Sequence, residues 1–131
     1  MSDADLTRQR HVVEAFLAAS RKGDFHGLLA ILDPDVLLRA DRAALPGGTP
    51  PQIRGASPVA RNALAFSGRS RFAQVALVNG TVGIVVAPDR RLSIVLLFMI
   101  SGGKIIGIDV VADPEHLRQL NVAVLEDMER P

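Results

Sequence analysis

The apolar residues in the first third of the chain recur with a helical period. Val12, Val13, Phe16 and Leu17, extended by Ala19, make one stripe, and Arg8, Arg10, Glu14 and Arg21 take the opposite side. This predicts a helix from Asp3 or Asp5 to Lys22, with Gly23 as its left-handed C-terminal cap. Asp24 then suits an N-cap. Phe25, Leu28, Leu29 and Leu32 follow at i, i+3, i+4 and i+7, one face of a second helix. Asp33-Pro34-Asp35 should stop it, because a proline ring blocks the helix and pushes the preceding residue out of the α region. Val36-Leu37-Leu38 reads as a short strand, and Asp41 comes where it should run out. Arg42 to Arg54 holds Pro46, Gly47, Gly48, Pro50 and Pro51, and is too long for a turn. It is either a lid or a tolerated insertion. A third helix is expected to open at Ser57-Pro58, with Ser57 as its cap. Val59, Ala60, Ala63, Leu64 and Phe66 supply its apolar side, and Ser67-Gly68 closes it.

From there the pattern becomes that of strands. Phe72–Val78, Thr81–Ala87, Leu92–Ile100 and Lys104–Val111 are four of them. Asn79-Gly80, Pro88-Asp89-Arg90 and Ser101-Gly102-Gly103 join them by short turns, which predicts an antiparallel meander. Asp113-Pro114 ends the sheet, and Glu115 to Val124 is expected to form a last short helix. Both faces of Leu92–Ile100 are mostly apolar: Leu92, Ile94, Leu96, Phe98 and Ile100 on one, Val95, Leu97 and Met99 beside Ser93 on the other. An antiparallel sheet with one wet face should alternate cleanly. The expectation is a sheet covered on both sides, by helices on one and by a second copy on the other, hence a homodimer. The order of elements is that of a single α+β domain, residues 1–131, with helices folded on a curved sheet.

Composition narrows the chemistry. With 48% hydrophobic and 22% charged residues the chain is globular. A net charge of +1, with basic residues in no long run, argues against a dedicated nucleic-acid binder. Cysteine is absent, which excludes disulfides, a thiol nucleophile and a cysteine metal site. Trp and Tyr are absent too, which removes most base-stacking platforms and any tyrosine donor to an oxyanion. His11, His26 and His116 form no ligand motif, so no metal and no cofactor is expected. Neither Gly47-Gly48 nor Gly102-Gly103 has the context of a phosphate loop. The polar N-terminus and the shortness of the longest apolar run argue against a signal peptide or membrane span, and cytoplasmic is the default expectation.

The stretches VVEAFLAASRKGDFHGLLAILDPDVLLRAD, IRGASPVAR, ALVNGTVGIVV and IIGIDVVADPEHLRQL resemble the SnoaL-like branch of the nuclear transport factor 2-like superfamily. More closely, they resemble the C-terminal extension of certain extracytoplasmic-function sigma factors, over roughly Arg8 to Leu125. The resemblance implies a cone-shaped fold, three N-terminal helices on a curved antiparallel sheet, with a pocket between them. It also implies a regulatory part attached to DNA-binding regions, without substrate turnover, and it marks Asp113, Pro114 and Leu117 as a regulatory motif. The chain departs from that group in two places. Asp41-Arg42-Ala43-Ala44-Leu45 stands where a glycine-rich aspartate motif is usual, and the closing motif has Asp113 and His116 where Asn and Lys are usual.

Asp109 lies between Ile108 and Val110 in the last long strand. On an apolar pocket wall it could act as a general base, and the resemblance offers a precedent in SnoaL-like enzymes. It could equally face solvent or pair with an arginine. Arg39 and Asp41 share a face of the first strand by parity, and Asp41 and Asp109 could share acid–base work only if close in space. Arg39, Asp41, Phe66 and Asp109 are the pocket candidates. Two functions follow. One is a non-catalytic regulatory or ligand-binding domain of a sigma-factor-like transcription regulator, with the sigma core regions and a small apolar ligand as partners and no direct contact with nucleic acid. The other is a small isomerase or cyclase with Asp109 as base.

Overall fold

The computed structural model describes residues 3–41, 51–88 and 91–124. Helix α1 spans Asp3–Lys22 and α2 spans Phe25–Ile31. Between them Gly23 takes φ 69°, and Asp24 caps α2 by accepting from the Gly27 N–H. Strand β1 is Leu32–Ala40, β2 is Gln52–Arg54 and α3 is Ala56–Ala65. A 3-10 turn over Ser67–Phe72 leads into β3, Ala73–Val78. Then come β4 (Thr81–Val86), β5 (Ile94–Ser101), β6 (Lys104–Val111), α4 (Pro114–Arg118) and β7 (Val122–Val124). The seven strands form one sheet in the order β2-β1-β6-β5-β4-β3-β7. The chain is α+β, with its helices on a curved, unclosed sheet.

The meander from β3 to β6 is antiparallel, as its turns require. Asn79-Gly80 and Gly102-Gly103 all have positive φ, the signature of a two-residue hairpin turn whose twist matches its strands. Pairing of β1 departs from expectation, because it runs parallel to β6. A strand that reaches the sheet's far side through helices need not reverse direction relative to its neighbour, and local pattern carries no signal of this.

Several other elements differ from the sequence reading. Asp33-Pro34-Asp35 is no gap between helix and strand; it lies within β1, where the register with β6 slips between Leu32 and Leu37. Such an irregularity is where a strand tolerates a proline. Helix α2 has already ended, since Leu32 is extended at φ −97°, ψ 133°. Ser57 does not cap α3: the cap is Gly55 at φ 107°, two residues earlier, and Ser57 sits inside the first turn. Phe72 belongs to the 3-10 turn, so β3 opens one residue later, and β5 starts at Ile94 rather than Leu92. The expected last helix is short. It ends at Arg118, and Val122–Val124 pairs with β3 instead. Asn79 and Asn121 hold that return, each donating its backbone N–H to an oxygen of the other. Of the 42–54 segment, Gln52–Arg54 pairs with β1, while residues 42–50 lie outside the described residues, as do two of the expected Pro88-Asp89-Arg90 turn.

Register sorts the sheet into two faces. Leu38, Ile108 and Phe98 are neighbours across β1, β6 and β5, and the Phe98 ring meets Phe16 of α1 edge-on at 5.2 Å. This is the helix-facing side. Val13, Phe16, Leu17, Leu28, Val59 and Ala60 from the helices bury there with Leu38, Ile84 and Ile108. The opposite, outer face carries Arg39, Asp109, Leu97, Gly83 and Ala76 as one row across five strands. Part of it is apolar because the chain covers it itself: Leu117 of α4 packs with Ala76, Val78, Val85, Val95 and Val111.

Candidate functional site

Parity places Arg39 and Asp109 one opposite the other on β1 and β6. The Arg39 guanidinium donates from Nε to Asp109 Oδ1 at 2.9 Å and from a terminal nitrogen to Oδ2 at 3.1 Å. This is the bidentate fork that an arginine makes with a carboxylate. The pair is on the outer face, with Leu97 as Asp109's neighbour on β5. Asp109 therefore turns away from the space between helices and sheet. The side chains are 51% and 32% exposed, so the pair is a partly solvated one, worth at most about 1 kcal/mol.

Asp41 continues the same parity just past β1. Its backbone N–H donates to the Val110 carbonyl at 3.1 Å. Its Oδ2 accepts from the N–H groups of Ala112 and Asp113, both at 2.9 Å. Asp113 in turn accepts from the Glu115 N–H at 3.1 Å and caps α4, with Pro114 in the first helical turn. Leu117 is 8% exposed. Thus Asp41 and the Asp113-Pro114-Leu117 motif, far apart in sequence, form one connected unit. Phe66 is half-buried at the C-terminal cap of α3, on the helix side of the sheet. The four pocket candidates thus fall at three places: Arg39 with Asp109, Asp41 with α4, and Phe66 apart from both.

Sequence reasoning missed Ser20. It lies on the stripe of α1 among Val13, Phe16 and Leu17, is 6% exposed, and its hydroxyl has no hydrogen-bond partner. A serine on an apolar stripe was the available signal. Leaving a buried hydroxyl unsatisfied costs roughly 1–3 kcal/mol. Among the described residues no group of three or more His, Asp or Glu could hold a metal ion. No helix among them is long and apolar enough to cross a membrane.

No family model matches the chain, and no curated protein matches it. Solved structures do. A nuclear transport factor 2-like protein of unknown function from Cytophaga hutchinsonii superposes with a TM-score of 0.52 at 13% identity, covering 85% of this chain and 95% of that one. The chain has the nuclear transport factor 2-like fold. Within that fold it is structurally near extracytoplasmic function sigma factors. The sigma factor SigJ of Mycobacterium tuberculosis matches with a TM-score of 0.63 and 26% identity over 82% of this chain. The match takes in 43% of SigJ, so the chain spans less than half of that protein's length. An LEH-like epoxide hydrolase of M. tuberculosis shares the fold at TM-score 0.51 and 20% identity, covering 83% of this chain and 85% of that one.

Proposed function

We propose that this chain is a non-catalytic regulatory or ligand-binding domain of a sigma-factor-like transcription regulator. The observation that carries this reading is the position of Asp109. The carboxylate best placed by sequence to be a base is locked to Arg39 on the outer face, and the helix-facing side of β6 presents Ile108 instead. The likeness to SigJ supports the regulatory half of the reading. The buried Ser20 hydroxyl supports the ligand half, since a small, mainly apolar ligand between helices and sheet would find one polar group there. The test is run-off transcription by an extracytoplasmic function sigma factor truncated of the part this chain matches, with the purified chain added back. A change in promoter output that saturates with added chain is expected. Output indifferent to the chain would overturn the reading.

The enzyme alternative uses Asp109 as general base. Under the regulatory reading Asp109→Asn changes stability by less than about 1 kcal/mol, as for an exposed pair, and alters neither ligand binding nor transcriptional effect. A substrate whose turnover this substitution abolishes would favour the alternative.

We further propose that the chain forms a homodimer through the outer face of its sheet. Helix α4 covers the β3–β5 part, which narrows the dimer surface to the β1, β6 and β5 side. Met99 is 39% exposed there, beside half-buried Leu37 and Leu97, and Ile106, 44% exposed, is the extra residue where the β5–β6 register shifts next to it. Arg39 and Asp109 put both signs of charge side by side, so a two-fold axis can set acid against base. Light scattering at micromolar concentration is expected to give twice the chain mass, and Met99→Glu to halve it. A monomer mass for the unaltered chain sinks the proposal.

A further inference from the structure

Helix α4 has five residues, far too few to hold together without outside contacts. Besides the tether that follows it, where Asn121 and β7 pair with Asn79 and β3, two contacts position it. One is apolar, Leu117 seated among Ala76, Val78, Val85, Val95 and Val111. The other is the Asp41 carboxylate, whose Oδ2 accepts from both Ala112 and Asp113 N–H groups at 2.9 Å. The second contact comes from a different part of the chain, directly after β1, and it grips the segment that leads into α4. Beyond its last turn, Leu120 packs on the same cluster and Asn121 and β7 tie the chain to Asn79 and β3, so the Asp41 contact is what fixes the entry to α4. Within α4 the remaining contacts are local. Asp113 caps its start, Leu117 donates to the Asp113 carbonyl, and His116 and Leu117 carbonyls accept from Gln119 and Leu120. Glu115, His116 and Arg118 face solvent.

We propose that Asp41 is a latch and α4 a strap. The carboxylate holds the strap over the outer face of the sheet, and releasing it uncovers the apolar strip of Val85, Val95 and Val111 without unfolding the domain. The asymmetry of the contacts is the reason. The core between helices and sheet is a separate cluster in which Leu117 and its neighbours have no part, so lifting α4 leaves Val13, Phe16, Leu28, Val59 and Ile108 packed. Two hydrogen bonds to one charged oxygen are strong individually, yet both depend on a single side chain. A carboxylate taken away or drawn elsewhere frees both N–H groups at once. Val85, Val95 and Val111 are 4%, 0% and 3% exposed under the strap, so its release turns a closed surface into an apolar one, contiguous with Leu97 on the same face. This gives Asp113, Pro114 and Leu117 a mechanical role: cap, helix start and apolar foot of the strap.

Amide hydrogen exchange on the intact chain tests it, with a dye that fluoresces on apolar surface as second readout. In Asp41→Ala the amides of residues 112–120 are expected to exchange about tenfold faster or more, with β3 to β6 unchanged and dye fluorescence raised. Asp41→Asn keeps an acceptor oxygen and should retain most of the protection. Leu117→Ala removes the other contact and should give the same local pattern, which keeps the test available if Asp41→Ala fails to fold. Wild-type exchange over residues 112–120 in either alanine variant that folds overturns the proposal. So does acceleration spread equally through the sheet, because Asp41 would then support the whole fold rather than the strap.

Discussion

Replacing Phe16 by alanine is expected to lower the free energy of unfolding by about 3–5 kcal/mol. Phe16 is 4% exposed on the inner face of α1, and its ring meets Phe98 of β5 edge-on. Removing it deletes one of the contacts that join the first helix to the middle of the sheet. The residues around it, Val13, Leu17 and Ile108 among them, are held by their own elements and cannot collapse fully into the gap. A domain of this size has roughly 5–15 kcal/mol in total, so the loss would remove a large share. Urea unfolding followed by far-ultraviolet circular dichroism measures it. A loss below 1 kcal/mol would mean that α1 does not rest on the sheet at this point.

The second large effect is expected at Gly83. It sits in β4 between Leu97 of β5 and Ala76 of β3. A Cβ added there would lie 2.6 Å from the backbone oxygen of Leu96 and 3.3 Å from a Val78 methyl. The first obstacle is main chain, so the strands themselves must part. Gly83→Ala should cost about 1–3 kcal/mol or more, even though alanine is ordinarily the better strand residue. Gly107→Ala is the control. Its Cβ would meet the methyl end of Met99 at 2.5 Å, but the nearest backbone atom is 3.6 Å away. Met99 is exposed and can swing aside, so the cost there should stay below about 1 kcal/mol. The two melting temperatures compared side by side decide it. Equal losses would show that the tight approach of β4 to β5 is not as described.

The local elements were largely legible. The stripe of α1, the Asp24 cap, the Asn79-Gly80 and Gly102-Gly103 hairpins, and the span of Lys104–Val111 all depend on contacts within a few residues. Periodicity and cap chemistry report such contacts directly. The misreadings share a cause. Asp33-Pro34-Asp35 looked like a stop because proline is read locally, yet β6, paired with Leu32 before it and with Leu37 after it, draws it into an irregular stretch of strand. Val122–Val124 looked like the end of a helix because only its pairing with β3 makes it a strand.

By itself the sequence determined most of the helices and strands, their α+β order, and that cysteine and tyrosine chemistry is closed to this chain. It also singled out Arg39, Asp41, Asp109, Asp113 and Leu117. Only the tertiary structure decided what these residues do for one another. Asp109 could be read as facing an interior or an arginine, and the choice rests on the parallel pairing of β1 with β6, which puts Arg39 opposite it on the outer face. Asp41 and Asp113 are 72 positions apart, and nothing local relates them. Their contact exists because β1 and β6 end side by side, and a pairing between strands so distant in sequence is a property of the whole packed sheet.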